Sequence, residues 1–178
     1  NRSRDLLEAG AMDTLRNRNL KSDSLYKTIR FRQSRIHDFA WFADKDFEVK
    51  EDTLQLATHT IKLHAYYNKR TAGSWTNVIQ YMKDAIRIKS DLVGSYPYND
   101  VSVVEKYSKL GGGGMEYPTI TLIDGPLDNT TLNEVIYHEI GHNWFYGILA
   151  SNERRFPWMD EGINTYYDNR YTATITRQ

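Results

Sequence analysis

Apolar residues follow two rhythms along this chain: alternation through the first two-thirds and helical spacing through the last third. Ile29 and Phe31 alternate with Arg30 and Arg32, "FAWFAD" (39–44) is rich in aromatics, and "TLQLATHTIKLHAYY" (53–67) alternates over a long run, so each reads as a strand. In the last of these, Leu54 and Leu56 occupy even positions but Ile61, Leu63 and Ala65 odd ones. A period of two cannot change parity unaided, which predicts a bend or bulge near Thr58–Thr60. Further on, Trp75, Val78, Ile79, Met82 and Ile86 share one face of a helix, with Ser74 as N-cap and Gly94 as its stop. "VSVVEKY" (101–107) and "YPTITLI" (117–123) are two more strands. After the turn "DGPLDN", Thr131 and Glu134 stand at capping-box spacing and open a helix through about Leu149, and a last helix covers 158–171. Residues 1–25 carry Leu6, Leu7, Met12 and Leu15 among charges and read as a short amphipathic helix with a polar connector. Strands followed by helices give an α+β class, a mixed β-sheet followed by a helical part that carries the chemistry.

Length and composition narrow this picture without redirecting it. The 178 residues are 40% hydrophobic, enough for the core of one domain. Basic and acidic side chains balance at 23 each, so bulk charge points to no nucleic acid and no anionic membrane surface. No apolar run reaches the roughly 18 residues of a membrane span. The absence of cysteine removes disulfides and thiolate metal sites, so any metal must sit on His, Asp or Glu. The chain starts at Asn1 and reads as a processed or excised piece.

Candidate chemistry lies in "YHEIGHNWFYG" (137–147). On a helix, His138 and His142 are one turn apart and project from the same face, the spacing at which two imidazoles share one zinc ion. Glu139 is placed to act as base toward a metal-activated water rather than as a ligand. In "PWMDEGINTYYDNR" (157–170), Glu161 follows His142 after 18 intervening residues and can supply a third ligand from a second helix. Two histidines and one glutamate leave a fourth position open, as catalytic rather than structural zinc requires. His37, His59 and His64 have no ligand-type neighbour at such a spacing and read as structural.

The run "LGGGGMEYP" (110–118) is either a flexible linker or a place where backbone must approach something closely. A phosphate-binding loop is excluded, since that motif ends in Gly-Lys-Ser/Thr and opens a helix, whereas this run enters a strand.

Taken in order, "GGMEYP", "HEIGHNW" and "WMDEG" resemble the aminopeptidase N family of gluzincin zinc metallopeptidases, and the resemblance extends from "HDFAWFAD" (37–44) to "EGINTYY". It implies a thermolysin-like first lobe of a catalytic domain over 38–178, preceded in 1–37 by the tail of a β domain plus a connector. One zinc per chain would be held by His138, His142 and Glu161, with Glu139 as general base. Glu116 would anchor the free α-amino group of a peptide substrate. Gly113, Gly114 and Met115 would form the sheet edge along which that peptide lies, leaving Gly111 and Gly112 as approach. Asp168 would hydrogen-bond a ligand histidine. The implied activity is hydrolysis of the N-terminal peptide bond, and the implied setting is an exported or periplasmic bacterial enzyme. The family's oxyanion-stabilising tyrosine is expected beyond Gln178, so the chain reads as an incomplete piece whose partners include the remaining domains of its parent. Tyr117 stands where the family commonly has asparagine. Three alternatives stay open: a catalytically silent peptide- or protein-binding relative, a gluzincin endopeptidase, and a closed structural zinc site.

Overall fold

Phe47–Gln55 (β1) and Thr60–Asn68 (β2) form an antiparallel hairpin in the computed structural model, which describes residues 28–107 and 113–175. The parity change expected to bend one long strand is instead this turn. Leu56 N–H bonds the His59 carbonyl at 2.9 Å, and the chain reverses. Directly opposed residues of an antiparallel pair point to the same face, so Leu54 and Ile61, partners in the register, enter the core together. The segments 29–32 and 39–44, expected as strands, are irregular, and Phe39 and Trp41 are 64% and 69% exposed. Alternation and aromatic content describe a surface suited to a sheet, but a strand exists only where a partner lies beside it. The chain divides into two units, Asn1–Arg35 and Ile36–Gln178. Of the first, only 28–35 are described, without helix or strand; the helix expected in 1–25 lies outside the described residues.

After β2 the chain runs through a tight turn at Ser74–Asn77 into helix α1 (Val78–Leu92) and returns as β3 (Asp100–Tyr107), parallel to β2. Parallel neighbours need such a crossover. Ser74 does not cap α1: its hydroxyl donates to the Thr71 carbonyl at 3.0 Å, one turn before the helix proper. Gly94, with φ of 140°, does end it. The sheet continues with Ile120–Gly125 (β5), parallel to β3, and closes at its edge with Gly114–Met115 (β4), antiparallel to β5. Tyr117–Thr119, expected in that strand, forms a turn instead, closed by the Ile120 N–H on the Tyr117 carbonyl at 3.0 Å. The five-stranded order is therefore β1-β2-β3-β5-β4.

Helix α2 (Asn129–His142) starts three residues earlier than the capping-box spacing predicts. Its cap is Asp128, whose Oδ1 accepts from the Thr130 and Thr131 N–H groups at 2.9 and 3.1 Å; the Thr131 hydroxyl donates to Oδ2. Past His142 the helix widens into a π-helical stretch, Asn143–Ile148. There the Asn143 amide accepts from the Thr119 N–H at 2.9 Å and donates to the Ile140 carbonyl at 3.0 Å, tying the end of α2 to the turn before β5. A second π-turn, Trp158–Gly162, leads into α3 (Ile163–Ile175). Leu63, Val103 and Ile123 from the sheet, Trp75, Met82 and Ile86 from the α1 region, and Leu132, Ile136 and Ile140 from α2 share one core. This core fixes one face of α2 and leaves its other face to the histidines. A mixed sheet followed by helices is the α+β arrangement read from the sequence.

Candidate metal centre

One turn of α2 and the π-turn before α3 bring three ligand atoms together. His138 Nε2 and His142 Nε2 are 3.0 Å apart, and Glu161 Oε2 lies 3.4 and 3.8 Å from them. Ligands about 2.0–2.1 Å from a tetrahedral zinc are separated by roughly 3.3 Å, so the triangle has the size of one zinc coordination face. The other ring nitrogens each face a carboxylate. His138 Nδ1 is 2.6 Å from Asp168 Oδ2, and His142 Nδ1 is 2.5 Å from Asp160 Oδ1. With each Nδ1 facing a carboxylate, the two Nε2 atoms face each other and a carboxylate oxygen. Three electron-rich atoms in mutual contact fit a cation among them, and His138, His142 and Glu161 form a candidate metal cluster.

The cluster faces an open cleft of about 410 Å³ whose walls include Gly113, Gly114, Glu116, His138, Glu139, Glu161 and Asp168. Glu139 follows the first histidine and is buried at 4% exposure, its Oε2 accepting from the Thr121 hydroxyl at 3.1 Å. Burial pushes its carboxyl from the ordinary 4.5 up to about 7; the imidazoles of His142 and His138 and the Thr121 hydrogen bond pull the other way, and Glu116 adds to the rise. For His142, burial pulls the pKa down, but the hydrogen bond and charge of Asp160 outweigh it and the net direction is up.

A stability prediction follows for the metal-free protein. The folded-state pKa of Glu139 lies above its unfolded value, so the fold takes up a proton between about 4.5 and 7 and loses stability as pH rises through that window. At 1.36 kcal/mol per pH unit the full cost is roughly 3 kcal/mol. Metal-free Glu139→Gln is therefore expected to match the wild type near pH 4 and to exceed it by up to about 3 kcal/mol at pH 8 in urea melts. Parallel pH profiles for the two proteins would refute the burial argument.

Gly114 stands directly over Glu139. A Cβ there would overlap the Oε1, Cδ and Cγ atoms of Glu139, while its φ lies outside the left-handed region. The requirement is therefore for space rather than for backbone freedom. Its neighbours place the strand edge: Gly113 accepts from the Asp124 N–H at 2.8 Å, and the Met115 carbonyl accepts from the Thr121 hydroxyl at 3.1 Å. Residues 111 and 112 lie outside the described residues. Glu116 comes next and is half-buried, its carboxylate grouped with Glu139 and His142 on one side and with Glu153 and Asp160 on the other.

Of the site residues singled out in the sequence, Gly113, Gly114, Glu116, His138, Glu139, Glu161 and Asp168 line this cleft and His142 belongs to the metal cluster, whereas Met115 is not among the lining residues and is placed only as the end of strand β4. Sequence reasoning missed several neighbours. Asp160 is fully buried against His142, and its only local signal was adjacency to Glu161. Glu153, in the loop between the two π-turns, faces Asp160 and Glu116, and its carboxyl is raised by burial and by those two neighbours. Thr121, Asn164 and Lys89 gave no signal, because each reaches the site from a different element. His37 and His59 bond the carbonyls of Tyr146 and Tyr98, both at 2.9 Å. His64 lies between Glu51 and Asp100 at 3.6 and 3.7 Å, and none of these three belongs to a metal-type trio among the described residues.

The mixed five-stranded sheet followed by helices, which here carries the candidate metal cluster, matches the fold of an M1 metallopeptidase catalytic domain. The M1 zinc metallopeptidase of Deinococcus radiodurans superposes on 73% of this chain and 29% of its own, with a TM-score of 0.59 at 20% identity. A mutant of that enzyme bound to a Tyr-Ser-Ala substrate gives a TM-score of 0.58 over 72% of this chain. No protein-family model matches. In sequence, leucine aminopeptidase 2 of Chaetomium globosum is 30% identical over 113 residues, 61% of this chain and 18% of that protein. Leukotriene A-4 hydrolase of Xenopus laevis is 26% identical over 92 residues, covering 51% and 15% respectively. Human aminopeptidase B is 28% identical over 86 residues, covering 47% and 13%. Over part of its length the chain is thus homologous to the M1 zinc aminopeptidases, and it spans less than a fifth of the curated relatives it matches.

Proposed function

We propose that this chain carries the zinc site of an aminopeptidase, with His138, His142 and Glu161 as ligands, Glu139 as general base and Glu116 as anchor for the substrate's α-ammonium group. The observation that carries the reading is the convergence of two Nε2 atoms and one carboxylate oxygen beside a cleft that Glu139 and Glu116 also line. When bound, zinc supplies Lewis acidity, lowering the pKa of a water and polarising a carbonyl. Glu139, sheltered from bulk water and oriented by Thr121, takes the proton of the attacking water and returns it to the leaving amine. Asp168 and Asp160 keep each imidazole's Nδ1 protonated, so that Nε2 presents its lone pair. Glu116, negative and beside the base, pairs with the ammonium of the first residue and limits how far a peptide enters. Gly113, Gly114 and Met115 offer the edge along which a peptide adds as a strand.

A pair of peptides differing only in N-acetylation tests this. The free-amine peptide is expected to be cut after its first residue and the acetylated twin at least about tenfold more slowly, a difference of roughly 1.4 kcal/mol or more from the lost ion pair. Equal rates, or cleavage inside the peptide, would replace the exopeptidase reading with an endopeptidase one.

A further inference from the structure

We propose that Lys89, on α1 and outside the metal cluster, is a positioning residue for His138, acting through Asn164 and Asp168; this rests on reading His138 as a zinc ligand. Lys89 is fully buried, its Nζ donating to Asn164 Oδ1 and lying 3.4 Å from Asp168 Oδ1 and 4.3 Å from the centre of the Tyr137 ring. Lysine is almost never fully buried unless paired. Both of its polar partners are the groups that hold His138. Asp168 turns its other oxygen to His138 Nδ1 at 2.6 Å, and the Asn164 Nδ2 donates to the His138 carbonyl at 2.8 Å.

An ammonium only donates. Asn164 must therefore turn its Oδ1 toward Lys89, which sends its Nδ2 toward the His138 carbonyl; without Lys89 the amide is free to flip and set oxygen against oxygen. The same charge faces the Asp168 carboxylate that receives the His138 Nδ1 proton. Space for this arrangement is reserved within the zinc motif itself. Gly141 lies between the two histidines of α2, and a Cβ at that position would overlap Lys89 Nζ and Asn164 Oδ1. His142, by contrast, leans on the buried Asp160, so Lys89 acts on one ligand of the pair.

The test measures zinc affinity of the full chain by chelator competition, together with the visible spectrum of the cobalt-substituted protein. Lys89→Met is expected to weaken zinc binding about 10- to 100-fold and to shift the cobalt bands. Met82→Ala, a buried change on the same helix, should lower stability without either effect. In an Asn164→Ala, Asp168→Asn background, Lys89→Met should cause no further loss of affinity. Gly141→Ala, which keeps every charge but fills the space of Nζ, is expected to reproduce the loss and serves if Lys89→Met does not fold. Wild-type zinc affinity and cobalt spectrum in whichever of the two variants folds would overturn the proposal, as would an undiminished loss in the double-mutant background. Absence of zinc from the wild type would instead overturn the underlying assignment of the ligands.

Discussion

Glu139→Gln is expected to lower the rate of peptide hydrolysis about a hundred- to ten-thousand-fold while the protein keeps its zinc. The side chain does not belong to the ligand trio, so its amide leaves His138, His142 and Glu161 untouched. Glutamine matches glutamate in shape and can still accept from the Thr121 hydroxyl, so the wall of the cleft stays as it is. What it cannot do is take a proton from water and hand it on. Zinc content by metal analysis and turnover of a free-amine dipeptide, measured on the same preparation, check this. A variant that hydrolyses at the wild-type rate, or loses its metal together with its activity, would remove Glu139 from the role.

Gly114→Ala should reach the same chemistry through backbone space. The new methyl group falls on the Glu139 carboxylate, and that carboxylate, at the end of a rotatable side chain, must yield before the paired strand does. Displacing a catalytic group by about 1 Å costs on the order of a hundredfold in rate. Stability should hardly change, since the φ of Gly114 suits an L-residue and alanine restricts the unfolded chain. The expected result is a folded, zinc-loaded protein with turnover reduced about a hundredfold. Gly113→Ala is the control, because its added Cβ would meet nothing nearer than an Asp124 oxygen at 3.8 Å. Equal effects of the two substitutions would show that the glycines matter for flexibility rather than for clearance.

Features encoded within a few residues were legible in the sequence. The apolar face of α1 follows from helical spacing, and the pairing of His138 with His142 follows from one helical turn. What depends on distant partners was not legible. One alternating run became two strands because a turn and a bent strand leave the same parity signature. Thr131 has capping-box spacing, yet Asp128 offers a carboxylate three residues before it and takes the helix start. The site shows the same division. His138, Glu139, His142 and Glu161 announced themselves by spacing, whereas Asp160 and Lys89 carried no spacing signal of their own. Only their burial against the ligand histidines and their partners reveals what they touch.

The measurement that bears most directly on the account is the zinc content of the purified chain, wild type beside His138→Ala. About one zinc per chain in the wild type, with most of it lost from the variant, is the predicted result. A wild-type chain without zinc, or a variant that retains as much as the wild type, would contradict it.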